Sequence, residues 1–176
     1  MNIHLAEYSG FCYGVKRAID MVCSFSDKYG NISTLGPIIH NSAVVEKLLS
    51  MGVTSIDSVD DFNGDLLVIR SHGVSPEVYE ACRNKGIEIA DATCPNVKKI
   101  QKKVAVCKQD NIPIIIVGQP SHPEIVGIMG WAGSGSIVLE TVDDALKIPE
   151  IERACIVSQT TMPVDKWEDI VEIVKQ

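Results

Sequence analysis

Short runs of apolar residues recur along the chain, separated by stretches in which apolar side chains return every three or four positions. The runs Ile3–Leu5, Ile32–Leu35, Leu66–Ile69, Ile87–Ala90, Ile114–Val117, Ile137–Leu139 and Cys155–Val157 have the length of strands. Most are continuous rather than alternating, which is the pattern of strands covered on both faces, so they predict mainly parallel sheets flanked by helices. The intervening stretches carry helix punctuation. Ser75-Pro76 offers an N-cap followed by proline at the first helical position, and Gly86 supplies a stop. Asn41 to Met51 is amphipathic and ends at Gly52, while Pro163 opens a last helix that reaches Gln176. The expected fold class is therefore α/β, with no linker or low-complexity segment.

The same order of elements occurs twice. Cys12-Tyr-Gly-Val15-Lys16-Arg17 matches Cys94-Pro-Asn-Val97-Lys98-Lys99, and Leu35-Gly36 ahead of His40 matches Val117-Gly118 ahead of His122, each pair 82 positions apart (94 − 12 and 122 − 40). Further on, with a slip of one residue, Ser58-x-x-Asp61 matches Thr141-x-x-Asp144, and each reads as a cap that opens a helix. Both copies then end in a strand and a polar loop, Ile69-Arg70-Ser71-His72 in the first and Val157-Ser158-Gln159-Thr160 in the second. Residues 12–93 and 94–176 are thus expected to be two duplicated α/β lobes, with residues 1–11 forming an N-terminal strand. Ligands in α/β lobes bind beyond the carboxyl ends of parallel strands, where these loops fall. Duplication would turn Cys12 with Cys94, and His40 with His122, toward one shared centre.

Charge narrows the partners. With 16 basic and 23 acidic residues the net charge is −7, which argues against nucleic acid or an anionic membrane as the main partner. The N-terminus has no basic region followed by an apolar stretch, and Ile112 to Val117 is too short to span a bilayer, so a cytoplasmic protein is expected. In that compartment six cysteines call for metal ligation or burial rather than disulfides. Cys23, Cys82 and Cys107 fall in helical stretches and Cys155 begins a strand, so these four read as core residues. Cys12 and Cys94 instead precede helix starts. A third thiolate at an equivalent helix start would complete a [4Fe–4S] site with one iron open, and the same interval places it near position 176 (94 + 82).

Several motifs occur in order along the chain: Gly10-Phe11-Cys12-Tyr13-Gly14-Val15, His40-Asn41 with Val44-Val45, Ser71-His72-Gly73-Val74, Asp91-Ala92-Thr93-Cys94-Pro95, His122-Pro123-Glu124 and Gln159-Thr160-Thr161. As a set they resemble the 4-hydroxy-3-methylbut-2-enyl diphosphate reductase family, the iron–sulfur enzymes that end the non-mevalonate route to isoprenoid precursors. The resemblance implies a trefoil of three α/β lobes around a [4Fe–4S] cluster, one cysteine from each lobe, with Cys12 and Cys94 matching the first two metal ligands. The third lobe, which carries the last cysteine and Ser/Asn groups of the diphosphate pocket, lies outside this sequence. The 176-residue chain alone is therefore expected neither to hold a stable cube nor to turn over substrate. The implied reaction is reductive dehydroxylation of an allylic alcohol diphosphate to isopentenyl and dimethylallyl diphosphates, with ferredoxin or flavodoxin as electron donor. Substrate binding carries over to His40, His72, His122 and Thr160; the proton donor matches Glu124, relayed through Thr160, with His122 beside them in the catalytic group. Two positions depart from the family's pattern: Ser9 stands where many members have arginine, and Gln101 where histidine is often seen.

Physical chemistry supports these assignments separately. A diphosphate needs N–H donors at loop ends, and histidines beside helix starts combine ring N–H groups with backbone amides aimed at the anion. An enclosed carboxyl group beside an anionic substrate suits proton donation near neutral pH. His40, His72, His122, Glu124 and Thr160 are accordingly expected to converge on a cavity that reaches both cysteines. Each residue also has a plainer reading, since a single loop histidine is commonly structural and a glutamate at a helix start commonly serves the helix dipole. Lys98, Lys99, Lys102 and Lys103 form either a solvated helix face or a dock for an acidic electron carrier. The alternative function is a non-redox diphosphate-binding module or an inactive fragment. A nicotinamide-dependent enzyme lacks support, because no Gly-x-Gly-x-x-Gly follows a strand.

Overall fold

The structure is a computed structural model that describes residues 3–4, 9–39 and 41–176. In chain order the elements are α1 (Tyr13–Ser26), β1 (Ile32–Leu35), α2 (Ser42–Ser50), β2 (Val53–Ile56), a 3₁₀ turn (Val59–Asp61), β3 (Leu66–Ile69), α3 (Pro76–Asn84), β4 (Ile89–Asp91), α4 (Pro95–Gln109), β5 (Ile114–Val117), α5 (Pro123–Ala132), β6 (Ile137–Leu139), α6 (Val142–Ala145), β7 (Cys155–Ser158) and α7 (Val164–Val174). They fall into two compact units, Met1–Ser71 with Ile89–Cys94, and His72–Glu88 with Pro95–Gln176. No helix among the described residues is long and apolar enough to cross a membrane.

The first unit is built on a parallel sheet of order β2-β1-β3-β4. Its central strands are buried at every position, Ile-Ser-Thr-Leu in β1 and Leu-Leu-Val-Ile in β3. Two hydroxyls therefore enter the interior, where each needs a partner. Thr34 Oγ1 donates to the Thr54 carbonyl at 3.4 Å, and Ser33 Oγ lies 3.4 Å from Thr54 Oγ1. Ala18 and Val22 of α1 and Leu48 of α2 pack with Ile32, Val53, Leu66 and Val68 in one apolar cluster.

The second unit carries the parallel sheet β6-β5-β7. Side chains of a strand alternate between faces, and β5 shows the consequence. Ile114 and Ile116 pack with Val104 and Cys107 of α4 and Ile125 and Ile128 of α5, whereas Ile115 and Val117 pack with Ala145 of α6 and Ile170 of α7. Helices on both faces are what a continuous apolar strand requires. The repeat is visible in the topology: β5 lies 82 positions after β1 at both ends (114 − 32 and 117 − 35), and each is central in its sheet, flanked by the next two strands of the chain.

Several elements differ from the sequence reading. β2 is an added strand; its two middle residues, Thr54 and Ser55, are exposed, so an edge strand with a polar centre shows no apolar run. β4 begins at Ile89 rather than Ile87, because the Ile87 N–H is taken by the Cys82 carbonyl as α3 ends through Gly86, whose φ is +68°. Ser58 caps only one 3₁₀ turn, since Phe62 leaves in extended conformation and Gly64 passes close to the Asn31 carbonyl. Its counterpart Thr141 forms a full capping box with Asp144 and opens α6. In the N-terminal segment Ile3 and His4 have no strand geometry, and Leu5 lies outside the described residues.

Ile116 is fully buried between α4 and α5, so Ile116→Ala is expected to destabilise the protein by about 2–5 kcal/mol. Val126, 55% exposed on α5, should tolerate alanine within about 0.5 kcal/mol. Urea unfolding of both variants against wild type measures the difference.

Candidate functional site

Within the second unit, strand register sets the site. Val117 at the end of β5 pairs with Ser158 at the end of β7, so the loops that follow these strands leave the sheet side by side. The first leads into α5, whose N-cap is His122: its Nδ1 accepts the Glu124 N–H at 3.2 Å. With Nδ1 accepting, a neutral ring carries its proton on Nε2 and can donate from there.

Glu124 sits in the first turn of α5 and is only 2% exposed. A buried carboxyl group is costly unless both oxygens are satisfied, and here both are. Oε1 accepts the Thr160 backbone N–H at 2.6 Å, and Oε2 accepts the Thr160 hydroxyl at 2.7 Å. The positive end of the helix dipole adds to this stabilisation. The turn bearing Thr160 is itself tied down: Gln159 Oε1 accepts the Gln119 N–H at 3.3 Å, and Gln159 Nε2 donates to Thr161 Oγ1 at 2.7 Å. His72 completes the group, its ring 5.4 Å from that of His122 and edge-on at 86°. Four of the expected site residues, His72, His122, Glu124 and Thr160, are thus brought together.

Cys12 and Cys94 belong to the first unit. Cys12 is exposed and forms the extended N-cap of α1, with no side-chain capping bond. Cys94 is half-buried directly ahead of Pro95; its N–H bonds the Ser71 carbonyl at 2.9 Å. Arg17 Nη1 donates to the Thr93 carbonyl at 3.3 Å, which ties α1 to the segment before Cys94. The opening turn of α1 approaches so closely that a Cβ on Gly14 would stand 2.6 Å from Cys94 Sγ, a cradle that any larger residue would fill. Two cysteine thiols at helix starts, one of them with open space beside its sulfur at Gly14, suit an iron–sulfur cluster in kind. They are not a complete ligand set, and among the described residues no group of three or more His, Cys, Asp or Glu could hold a metal ion. His40 lies outside the described residues; its neighbour Asn41 caps α2 by accepting the Val44 N–H at 3.1 Å.

The remaining cysteines occupy the interior. Cys82, Cys107 and Cys155 are buried, and Cys23 packs half-buried against the core of the first unit. Burial pushes the Cys82 thiol up, and burial with the neighbouring Cys107 pushes Cys155 to about 11. Lys99, Lys102 and Lys103 are exposed on α4.

Two features escaped the sequence reading. Arg70, at the end of β3, lays its guanidinium against Gly36, with burial lowering its pKa and the nearby Asp57 opposing that shift; its Nε is buried without a hydrogen-bond partner. Trp131 and Gln101 both donate to the Val74 carbonyl, at 2.9 and 3.5 Å. The sequence signal was slight in each case, an arginine at a strand end and a polar residue at a buried helical position.

The parallel sheets, flanked by helices, define an α/β protein, and a buried Glu–Thr pair with two histidines lies in the loops beyond the strands. The chain belongs to the LytB protein family, which it matches over residues 3–176. It is 43% identical over 180 residues to a 4-hydroxy-3-methylbut-2-enyl diphosphate reductase of Thermoanaerobacter sp. (strain X514), covering 99% of this chain and 62% of that protein. The enzyme of the same name from Alkaliphilus oremlandii is 37% identical, with coverage of 100% and 64%. The solved structure of the E-1-hydroxy-2-methyl-but-2-enyl-4-diphosphate reductase from Plasmodium falciparum superposes with a TM-score of 0.89 at 33% identity, over 94% of this chain and 54% of that one. A second structure, described as (E)-4-hydroxy-3-methyl-but-2-enyl diphosphate reductase, the terminal enzyme of the non-mevalonate pathway, gives a TM-score of 0.86 at 37% identity, over 98% and 63%. The chain thus spans less than two thirds of the relatives it matches.

Alkylation of the native protein with iodoacetamide should modify Cys12 first and reach Cys82, Cys107 and Cys155 only on denaturation, as read by peptide mass spectrometry. Because Cys155 keeps its proton to about 11 when folded and to about 9.0 otherwise, its contribution to stability is complete below pH 9 and is lost as pH rises through 11. A Cys155→Val variant should lose less stability than wild type across that window.

Proposed function

We propose that this chain provides the proton-delivering and diphosphate-binding part of a 4-hydroxy-3-methylbut-2-enyl diphosphate reductase. The observation that carries this reading is the buried Glu124 carboxyl group, bonded through both oxygens to Thr160 beside the His72–His122 pair. A carboxyl group that shares a hydrogen bond with a hydroxyl can pass a proton through it, since the hydroxyl both accepts and donates. In this reading Glu124 is the proton source and Thr160 Oγ1 the relay to the substrate. His122 and His72 bind the diphosphate through ring N–H groups, with His40 as the third histidine, and the first-turn amides of α5 add to the attraction for the anion. His122 has a second part, because its Nδ1 fixes the Glu124 backbone.

Removing the allylic hydroxyl as water takes two electrons and two protons, one proton leaving with the oxygen and one ending on carbon. A [4Fe–4S] cluster held by Cys12, Cys94 and a further ligand would supply the electrons. Gly14 supports the ligand assignment, since it leaves room beside the Cys94 sulfur. Ferredoxin or flavodoxin is the proposed donor of those electrons, docking on the exposed Lys99, Lys102 and Lys103 of α4 in the cytoplasm. The repeats 12–93 and 94–176 are proposed as two lobes of the three-lobed arrangement.

In an enzyme of the relatives' length carrying these residues, Glu124→Gln should leave the cluster's absorption unchanged and lower turnover by about 10²-fold or more. Unchanged turnover would remove Glu124 from the mechanism. Anaerobic preparation of that longer enzyme separates this reading from a non-redox binding module: brown protein with iron and sulfide supports the reductase, whereas colourless protein that still binds pyrophosphate supports the module.

A further inference from the structure

His72 is held at its distance from His122 by something other than the strand it follows. Its loop continues through Gly73, where φ is +71°, into Val74 and Ser75, the N-cap of α3. This stretch lies against α5. A Cβ on Gly127 would stand 3.4 Å from the Gly73 carbonyl oxygen, and one on Gly130 would collide with the Ser75 side chain. Beside these glycines Trp131 donates its indole N–H to the Val74 carbonyl at 2.9 Å, while its ring meets Tyr79 of α3 at 6.3 Å. From α4 the buried Gln101 Nε2 reaches the same carbonyl at 3.5 Å.

We propose that Trp131 is a positioning residue for the His72–His122 pair, holding the Gly73–Ser75 backbone onto the helix whose first turn carries His122 and Glu124. The physical reason is that α5 is one rigid body: its first turn sets His122, and its last turn, through Trp131, sets the loop that carries His72. The two rings are thereby referred to a single helix rather than to two flexible loops. Glycine at 130 is needed because a Cβ there would collide with Ser75, while a Cβ at 127 would already be in van der Waals contact with the Gly73 carbonyl, so the loop lies directly on the helix where the indole reaches Val74. The inference deepens the diphosphate reading and rests on it for function, but the geometric part stands alone.

The test uses the whole 176-residue chain, inorganic pyrophosphate as probe, and histidine ring resonances by NMR. Trp131→Phe keeps an aromatic ring beside Tyr79 and removes the donor along with the larger bicyclic ring. The expected result is a shift of the His72 ring signals with the Thr160 amide signal unmoved, and a fall in pyrophosphate affinity of about fivefold, the effect of one neutral hydrogen bond. Met129→Leu, on the exposed side of α5, should leave all three readings unchanged. Unmoved His72 signals with unchanged affinity in Trp131→Phe would overturn the proposal. Should the wild-type chain bind no pyrophosphate, the His72 signals alone decide the positioning. If Trp131→Phe does not fold, Gln101→Leu removes the second donor to the same carbonyl; a smaller His72 shift supports the clamp, and none refutes it.

Discussion

The buried carboxyl group of Glu124 is the constraint around which the second unit is arranged. A carboxyl group at 2% exposure is tolerable only if its oxygens are bonded, and both of its partners come from Thr160, 36 positions further along the chain. That pairing requires β5 and β7 to be adjacent, parallel and in the register that sets Val117 against Ser158. It also requires α5 to start where it does, and His122 accomplishes this by capping the helix with its ring nitrogen. Removing any of these leaves unsatisfied carboxyl oxygens in the interior.

Close backbone approaches make the rest possible, and glycine marks each of them. Gly14 admits the Cys94 sulfur beside α1, and Gly36 receives the Arg70 guanidinium at the end of β1. Gly118 lets Ile125 and Gln159 close over the exit of β5, which brings the Gln-Thr-Thr turn onto the first turn of α5. The apolar cores supply the driving force that these contacts then direct. Ile114 and Ile116 on one face of β5, and Ile115 and Val117 on the other, bind four helices to one strand.

The departure at position 101 gains a reason in the folded protein. Gln101 is buried on α4 and faces the Val74 carbonyl, which already accepts the Trp131 indole N–H. An amide donor there adds to the hold on the loop after His72 without introducing a charge into the interior. The histidine often seen at this place in the family would share the ability to donate.

The sequence by itself determined the α/β class, the central strands, most helix starts and the pairing of Cys12 with Cys94 as helix-start residues, because continuous apolar runs, caps and an 82-position repeat are local or periodic signals. It also marked His72, His122, Glu124 and Thr160, although only through ordered motifs whose members are far apart. It missed β2, whose exposed Thr54 and Ser55 interrupt any apolar run, and it extended β4 backward into the exit of α3. Only the tertiary structure decided that Thr160 satisfies both oxygens of Glu124, that Gly14 clears space for the Cys94 sulfur, and that Trp131 holds the loop of His72. These depend on strand register and on which backbones touch. Neither is encoded by spacing along the chain; both follow from the packing of helices onto the two faces of a sheet.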